Sequence, residues 1–276
     1  MAFEAPYEEI LRRVQELLPG VLAGKEEALA SPATMPSHYW DDCISLYLRA
    51  PALVNIALNF KVCVEQGLPL HPTYYFEIGE AERFRAKYPD HMIEHTNEFF
   101  RASVAMARAI YALEPDAPTQ LDAFIRDLPE VISGFIYTST KDKYTWRASN
   151  PAKIQDLADY ILKHVTPRLI VGAAHGSILS GLVLANMLNA PLYFIRFSMF
   201  KRNDTAPIIA PSDHAFLADY QEGPVLLFDE DVAKGTTLTK FSEVLQPYFQ
   251  ESYTASVLRH ALSPCKPDFV GRSWHD

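Results

Sequence analysis

Apolar residues recur at helical spacing through the first 130 residues, as in Phe99, Phe100, Val104, Ala107, Ile110 and Tyr111. The pattern predicts helices over Tyr7–Leu18, Tyr39–Gln66, Ile78–Tyr88, His91–Leu113 and Thr119–Leu128, broken at Pro19, Pro36, Pro69, Pro89 and Pro115, because proline and its predecessor resist helical backbone. Residues 134–146, GFIYTSTKDKYTW, are rich in aromatic and β-branched types around a polar centre and predict a hairpin.

The period changes after Asn150 and Pro151, a good helix start. A helix over Ala152–His164 leads into apolar strands at Arg168–Ala173, Leu192–Phe197, Val225–Phe228 and Ser252–His260, with helices at Ile178–Leu188 and Thr237–Phe249 between them. Such alternation implies βαβ units, a parallel sheet covered on both faces, and ligands beyond the carboxyl ends of its strands. The expected organisation is α/β: an N-terminal helical domain over residues 1–133 and a parallel-sheet domain over 134–276.

Charge and cysteine usage narrow the field. A net charge of −9 opposes a general nucleic-acid surface, which needs clustered Lys and Arg, but not a small anion held by backbone N–H groups and a few local cations. No run of 18 uninterrupted apolar residues suggests a membrane partner, and Glu8 and Glu9 stand where a secretory leader would be basic, so a cytoplasmic location is expected. Cys43, Cys63 and Cys265, odd in number and far apart, read as reduced thiols.

The strongest chemical signal is Val225–Leu238, VLLFDEDVAKGTTL. An apolar strand runs into two acids, Asp229 and Glu230, and then into Gly235, Thr236 and Thr237 at a helix start. Glycine lets the chain turn tightly against a ligand, and first-turn N–H groups with the helix dipole favour a phosphate. The dipole alone is worth about 0.3–1 kcal/mol when exposed, so aligned N–H bonds must supply much of the remainder. Two carboxylates beside that turn can accept hydrogen bonds from a diol.

This segment resembles the phosphate-and-ribose signature of the type I phosphoribosyltransferases, ungapped over its 14 residues. The resemblance implies a type I phosphoribosyltransferase-like sheet and transfer of a 5-phosphoribosyl group from phosphoribosyl pyrophosphate (PRPP) to a nitrogenous base, with release of pyrophosphate and dependence on Mg2+. It assigns Asp229 and Glu230 to the ribose hydroxyls and the metal, and Ala233, Lys234, Gly235, Thr236 and Thr237 to the 5′-phosphate. The turn Ala173, Ala174, His175 and Gly176 occupies the place of the pyrophosphate loop, where small residues let backbone N–H groups approach an anion. Between the second and third strands, Ser198–Gly223 corresponds to a mobile lid whose Lys201 or Arg202 neutralises the leaving group. The C-terminal PDFVG is similar to the base-stacking segment of hypoxanthine-guanine members, which assigns Arg259, Phe269, Val270 and Trp274 to the base. A homodimer is implied on the same ground.

Two residues depart from the family pattern: Asp231, where an apolar residue is usual, and Lys234, where Thr or Ser is common. The segment GFIYTSTKDKYTW also looks like the hairpin of orotate transferases, although Ser139 and Thr140 stand where Ser-Gly is expected, so purine and pyrimidine both remain open. A regulatory or sensor protein that binds PRPP or a nucleotide without turnover is the alternative reading. His91, Glu94 and His95 spell an inverted zinc-protease motif but lack an identifiable third ligand, and Lys234 precedes its glycine where a Walker lysine would follow it.

Overall fold

A computed structural model describes residues 2–140 and 147–275, the side chains of residues 2, 3, 139, 140, 200 and 201 excepted. Helix α1 (Tyr7–Ala23) buries a stripe of Tyr7, Ile10, Leu11, Val14, Leu17, Leu18 and Val21, spaced at three and four residues. The predicted break at Pro19 does not occur. Pro19 lies on the exposed face, and Val21 returns to the core one turn later.

After the short α2 (Lys25–Ala30) come α3 (Ser37–Arg49) and α4 (Pro51–Glu65), which meet at a helical Ala50 with Pro51 in the first turn of α4. The predicted single helix is thus one run of 29 residues with a proline at its joint. By length and composition it would suffice to cross a bilayer. Within this fold α4 is a core helix, buried on nearly every side between α5 (Asp90–Ala112) and the sheet.

Residues 78–88 do not form the predicted helix: only Ile78–Glu80 makes a helical turn, followed by an irregular stretch to Pro89. Helices α6 (Ala117–Arg126) and α7 (Glu130–Ser133) complete this half. The predicted hairpin is corrected too. Strand β2 (Ile136–Thr140) pairs antiparallel with β1 (Ala2–Pro6) at the other end of the helical half, and residues 141–146 lie outside the described residues.

After α8 (Pro151–Leu162), capped by the Asn150 side chain on the Ala152 amide, the expected alternation appears. In chain order it comprises β3 (Leu169–Ala174), α9 (Ile178–Met187), β4 (Leu192–Arg196), α10 (Met199–Arg202), α11 (Pro211–Ala218), β5 (Pro224–Val232), α12 (Thr236–Leu245), β6 (Glu251–His260) and β7 (Phe269–Trp274). The five strands form one parallel sheet in the order β4-β3-β5-β6-β7. Strand β7, unforeseen in the sequence, follows β6 through a connection of only eight residues, 261–268.

Strand β3 and the central part of β5 are wholly buried, as strands covered on both faces must be. Helices α4 and α5 pack on α9 and β4, so the hydrophobic core is continuous from the helical half into the sheet. Each fully buried Leu, Ile or Val in it contributes about 1.5–3 kcal/mol. Polar residues join the two halves as well. The Lys61 ammonium of α4 bonds Glu65 at 3.0 Å and Asp213 of α11 at 2.6 Å, all three buried.

Candidate functional site

Strands β3 and β5 pair from Leu169↔Val225 to Gly172↔Phe228. Beyond that register β3 ends and turns toward β4 on one side, while β5 runs on to Val232, paired only with β6 on the other (Asp229↔Ser256, Asp231↔Leu258, Val232↔Arg259). The connections therefore diverge at the carboxyl ends of β3 and β5, the place where open α/β sheets form a ligand crevice. The turn after β3 and the acids of β5 flank it.

Ala173 and Ala174 are buried at the end of β3, and the Ala174–His175 peptide is cis. The Ser177 hydroxyl donates to the Ala173 carbonyl at 2.7 Å and ties the turn to the strand. Asn55 of α4 approaches from the helical half, its Nδ2 lying 2.9 Å from His175 Nδ1. Gly176 faces Glu230: a Cβ at this position would stand 2.1 Å from Glu230 Oε1. The predicted pyrophosphate loop and the predicted ribose acids are thus in contact.

Asp229 is only 8% exposed. Burial, and next the charge of neighbouring Glu230, push its carboxyl well above the usual carboxylate range. The Glu230 amide donates to Asp229 Oδ1 at 3.1 Å. Asp231, the departure from the family pattern, has Oδ1 3.2 Å from His260 Nε2 on β6. Both acids of the signature belong to the strand itself, which runs four residues past the end of the apolar run because pairing with β6 continues past Phe228.

Ala233 and Lys234 are exposed. Gly235 takes left-handed backbone, φ +79°, at the start of α12, and a Cβ there would also strike Cys265 Cβ at 2.1 Å. Two demands converge on glycine: the turn angle, and the close approach of the 261–268 connection. A glycine cap has no side chain, so the first-turn amides of α12 keep no internal partner and face the turn. Thr237 Oγ1 lies 3.9 Å from Met199 Sδ, which brings α10 over the same helix end.

The connection after β4 is tied to its strand and to the helical half by polar contacts. Arg196, fully buried, holds Asp204 through Nε at 3.2 Å and Nη2 at 2.8 Å, and Glu77 at 2.9 Å. Asp204 also accepts from the Ser198 amide at 2.8 Å, and Arg196 bridges Ile208. Arg202 engages the helical half: its guanidinium lies over the Tyr75 ring at 4.4 Å, donates to the Tyr75 carbonyl at 3.3 Å and pairs with Glu77 at 3.8 Å. Its pKa is lowered by burial and then by Arg196. The side chain of Lys201 lies outside the described residues. Glu77, Arg196 and Asp204 escaped the sequence reading, although an arginine closing the apolar run LYFIR is the signal that points to them.

The predicted base contacts are dispersed. Phe269 stands at the beginning of β7, level with Phe228 and Ala255, and packs against Tyr160, His164 and Tyr253 with ring centroids 5.5–6.0 Å away. It is a core residue under α8, one register step before the level of Asp229 and two strands across the sheet from it. Arg259 donates to the carbonyls of Cys265 (2.7 Å) and Ser263 (2.5 Å), holding the 261–268 connection against Gly235. Val270 is half-buried beside Ser256. Trp274 lies at the carboxyl end of β7, opposite His260, with the Arg147 guanidinium 3.6 Å from its ring centre. His91, Glu94 and His95 are exposed on α5, and among the described residues no three metal-ligating side chains converge.

No protein-family model and no curated protein sequence matches the chain. Among solved structures, the chain is similar to a purine phosphoribosyltransferase from Pyrococcus horikoshii Ot3, with 20% identity over 48% of this chain and 87% of that one, and a TM-score of 0.38. It is also similar to a xanthine-guanine-hypoxanthine phosphoribosyltransferase from Helicobacter pylori, with 19% identity, 45% and 84% coverage and a TM-score of 0.37. A hypothetical protein from Neisseria gonorrhoeae with bound ppGpp follows at 17% identity, 50% and 82% coverage and a TM-score of 0.36. Likeness at this level leaves the function to be argued from the site.

Proposed function

We propose that the crevice between β3 and β5 binds PRPP and transfers its phosphoribosyl group to a nitrogenous base. One observation carries the reading: beside buried Asp229, half-buried Glu230 touches the turn at Gly176 on one side, and their strand leads into the left-handed turn at Gly235 on the other. An anion-binding helix start and a diol-binding acid pair are thereby set one short turn apart.

In this reading the amides of Ala233–Thr237 take the 5′-phosphate, and the carboxylates of Asp229 and Glu230 accept from the ribose hydroxyls. The bond from C1′ to the pyrophosphate oxygen breaks as the bond from C1′ to a ring nitrogen of the base forms, pyrophosphate leaves with the electron pair, and the proton of that ring N–H passes to solvent. Positive charge develops on the ribose and negative charge on the diphosphate, so the residues act by position and field. The turn Ala173–Gly176 donates N–H groups to the diphosphate, and Lys201 supplies a cation.

Magnesium suits this donor set. Asp229 and Glu230 are hard oxygen donors crowded in a buried place, where a divalent ion relieves their repulsion, and Mg2+ needs only one or two protein carboxylates. Bound there, it would add positive charge beside the departing diphosphate.

The test is incubation with PRPP, Mg2+ and a panel of purine and pyrimidine bases, following pyrophosphate release. Release with one base establishes the reaction and the acceptor together. A second reading, a PRPP- or nucleotide-binding regulator without turnover, draws on Arg202, which is engaged by Tyr75 and Glu77, and on Phe269, which lies in the core. Calorimetric binding of PRPP with no release for any base would select it.

A further inference from the structure

Helix α4 is apolar apart from a few polar residues, and each of these has a partner in the sheet half or leads to one. Lys61 and Glu65 reach α11. Asn55 and Asn59, one turn apart, lead to the turn after β3: Asn59 Nδ2 donates to Asn55 Oδ1 at 3.1 Å, and Asn55 Nδ2 lies 2.9 Å from His175 Nδ1. Asn59 is 2% exposed, and a buried amide is unfavourable unless hydrogen-bonded.

The direction of this chain decides the chemistry of His175. The Asn55 oxygen is taken up by Asn59, so the group it turns to the imidazole is its NH2, which can only donate. With the amide in that orientation Nδ1 accepts, which leaves the ring proton of a neutral histidine to Nε2. We propose that Asn55 is a positioning residue for the turn Ala173–Ser177: it fixes His175 as a neutral Nε2–H donor to an oxygen of a diphosphate. The helical half thus contributes to the site from within its most buried helix, and discrimination of the anion depends on a hydrogen-bond donor whose orientation α4 sets. This rests on the assignment of that turn to the diphosphate.

The experiment uses the full chain labelled with 15N-histidine, His175 being assigned by its loss in His175→Gln, at a pH where the ring is neutral. The unprotonated ring nitrogen, which resonates well downfield of the protonated one, is expected to be Nδ1. Asn55→Asp keeps the size and the acceptor for Asn59 but offers His175 a carboxylate oxygen, so the proton is expected to move to Nδ1. In parallel, inorganic pyrophosphate with Mg2+ is titrated calorimetrically. Loss of one oriented hydrogen bond should weaken its binding about tenfold in Asn55→Ala, and Asn55→Asp should weaken it at least as much, with melting temperatures recorded for each.

A wild-type ring protonated on Nδ1, an Asn55→Asp ring whose proton stays on Nε2, or undiminished pyrophosphate binding in both variants overturns the proposal. Failure of the wild type to bind pyrophosphate, with the proton placed on Nε2 and moved by Asn55→Asp, instead overturns the assignment of the turn to a diphosphate and leaves the tautomer relay standing.

Discussion

The Glu230 carboxylate occupies the space that a side chain at position 176 would need: Oε1 stands 2.1 Å from where a Cβ on Gly176 would lie. Replacing Gly176 by alanine must displace Glu230. Because Glu230 is a flexible, half-buried side chain, the fold should lose little stability while PRPP affinity falls about tenfold, roughly 1.4 kcal/mol. Adding Glu230→Ala to Gly176→Ala should cause much less than the sum of the single losses, since the clash is then gone. Additive losses in a calorimetric double-mutant cycle would show that the two residues act separately.

A second glycine is constrained for a different reason. Gly235 combines left-handed backbone with a close approach to Cys265. Gly235→Ala should destabilise by about 2–4 kcal/mol, the left-handed conformation supplying about 1–2 of it and overpacking the rest. Adding Cys265→Gly should recover the steric part and leave the conformational part. Urea denaturation of the single and double variants measures both, and full recovery would mean that the turn angle imposes nothing.

Glu230, Gly176 and Gly235 also show why some of the site is legible in sequence. The turn after β5 is encoded locally: an apolar strand, adjacent acids and a glycine within 14 residues, each constrained by its own neighbours. Helical periods and the βαβ alternation are local as well, so β3, β4, β6, α5 and α8 could be read to within two residues of their ends, while α1 runs five residues past its predicted end at Leu18 and β7 was not foreseen. Strand β2 had the right residue types but a partner more than a hundred residues away, at Ala2–Pro6, which no local pattern specifies. Helical spacing over residues 78–88 is overridden by tertiary contacts: the Ala86 amide donates to the Gly67 carbonyl and the Tyr88 hydroxyl to the Leu68 carbonyl. Phe269 shows the limit of a short motif, because an aromatic residue reads the same at the start of a buried strand as in a base pocket.

Acid–base behaviour gives a third expectation. Burial and the Glu230 charge raise the Asp229 carboxyl in the folded chain. The folded state therefore holds a proton that the unfolded state releases above its ordinary value of about 3.9. The sign follows from linkage: no penalty exists below that value, and stability falls as pH rises toward the raised folded value. Asp229→Asn should leave the melting temperature of the empty protein unchanged near the lower limit and raise it increasingly above. Mg2+ with PRPP should bind the wild type more tightly as pH rises through the same interval, because proton and cation compete. A gain in melting temperature independent of pH would place the origin of the effect elsewhere.

The tie between α4 and α11 is expected to be structural. Lys61, Glu65 and Asp213 are buried together, and Tyr193 also donates to Asp213 at 2.7 Å. Lys61→Met removes the cation and strands two carboxylates, a change of about 3–5 kcal/mol. Since the core crosses from the helical half into the sheet, the whole chain should still unfold in one transition, shifted to lower temperature. Separate transitions in calorimetry, with only one displaced by Lys61→Met, would show that the halves are independent units.

The aromatic residues of β7 can be separated by the kind of damage each causes. Phe269 is 6% exposed and enclosed by Tyr160, His164 and Tyr253, so Phe269→Ala should destabilise by about 3–5 kcal/mol. Because its ring packs on Tyr160 and His164 at the α8 face, PRPP affinity and any acceptor KM should stay as they were. Trp274, half-buried opposite His260, has less packing to lose. Because it stands at the carboxyl edge, beside the contact of His260 with Asp231, Trp274→Ala should disturb ligand binding more than stability. Melting curves and ligand titrations on the two variants give a crossed comparison. Were Phe269→Ala to raise an acceptor KM while melting like the parent, the base would have to enter from the α8 face of the sheet, and the crevice between β3 and β5 would hold only the donor.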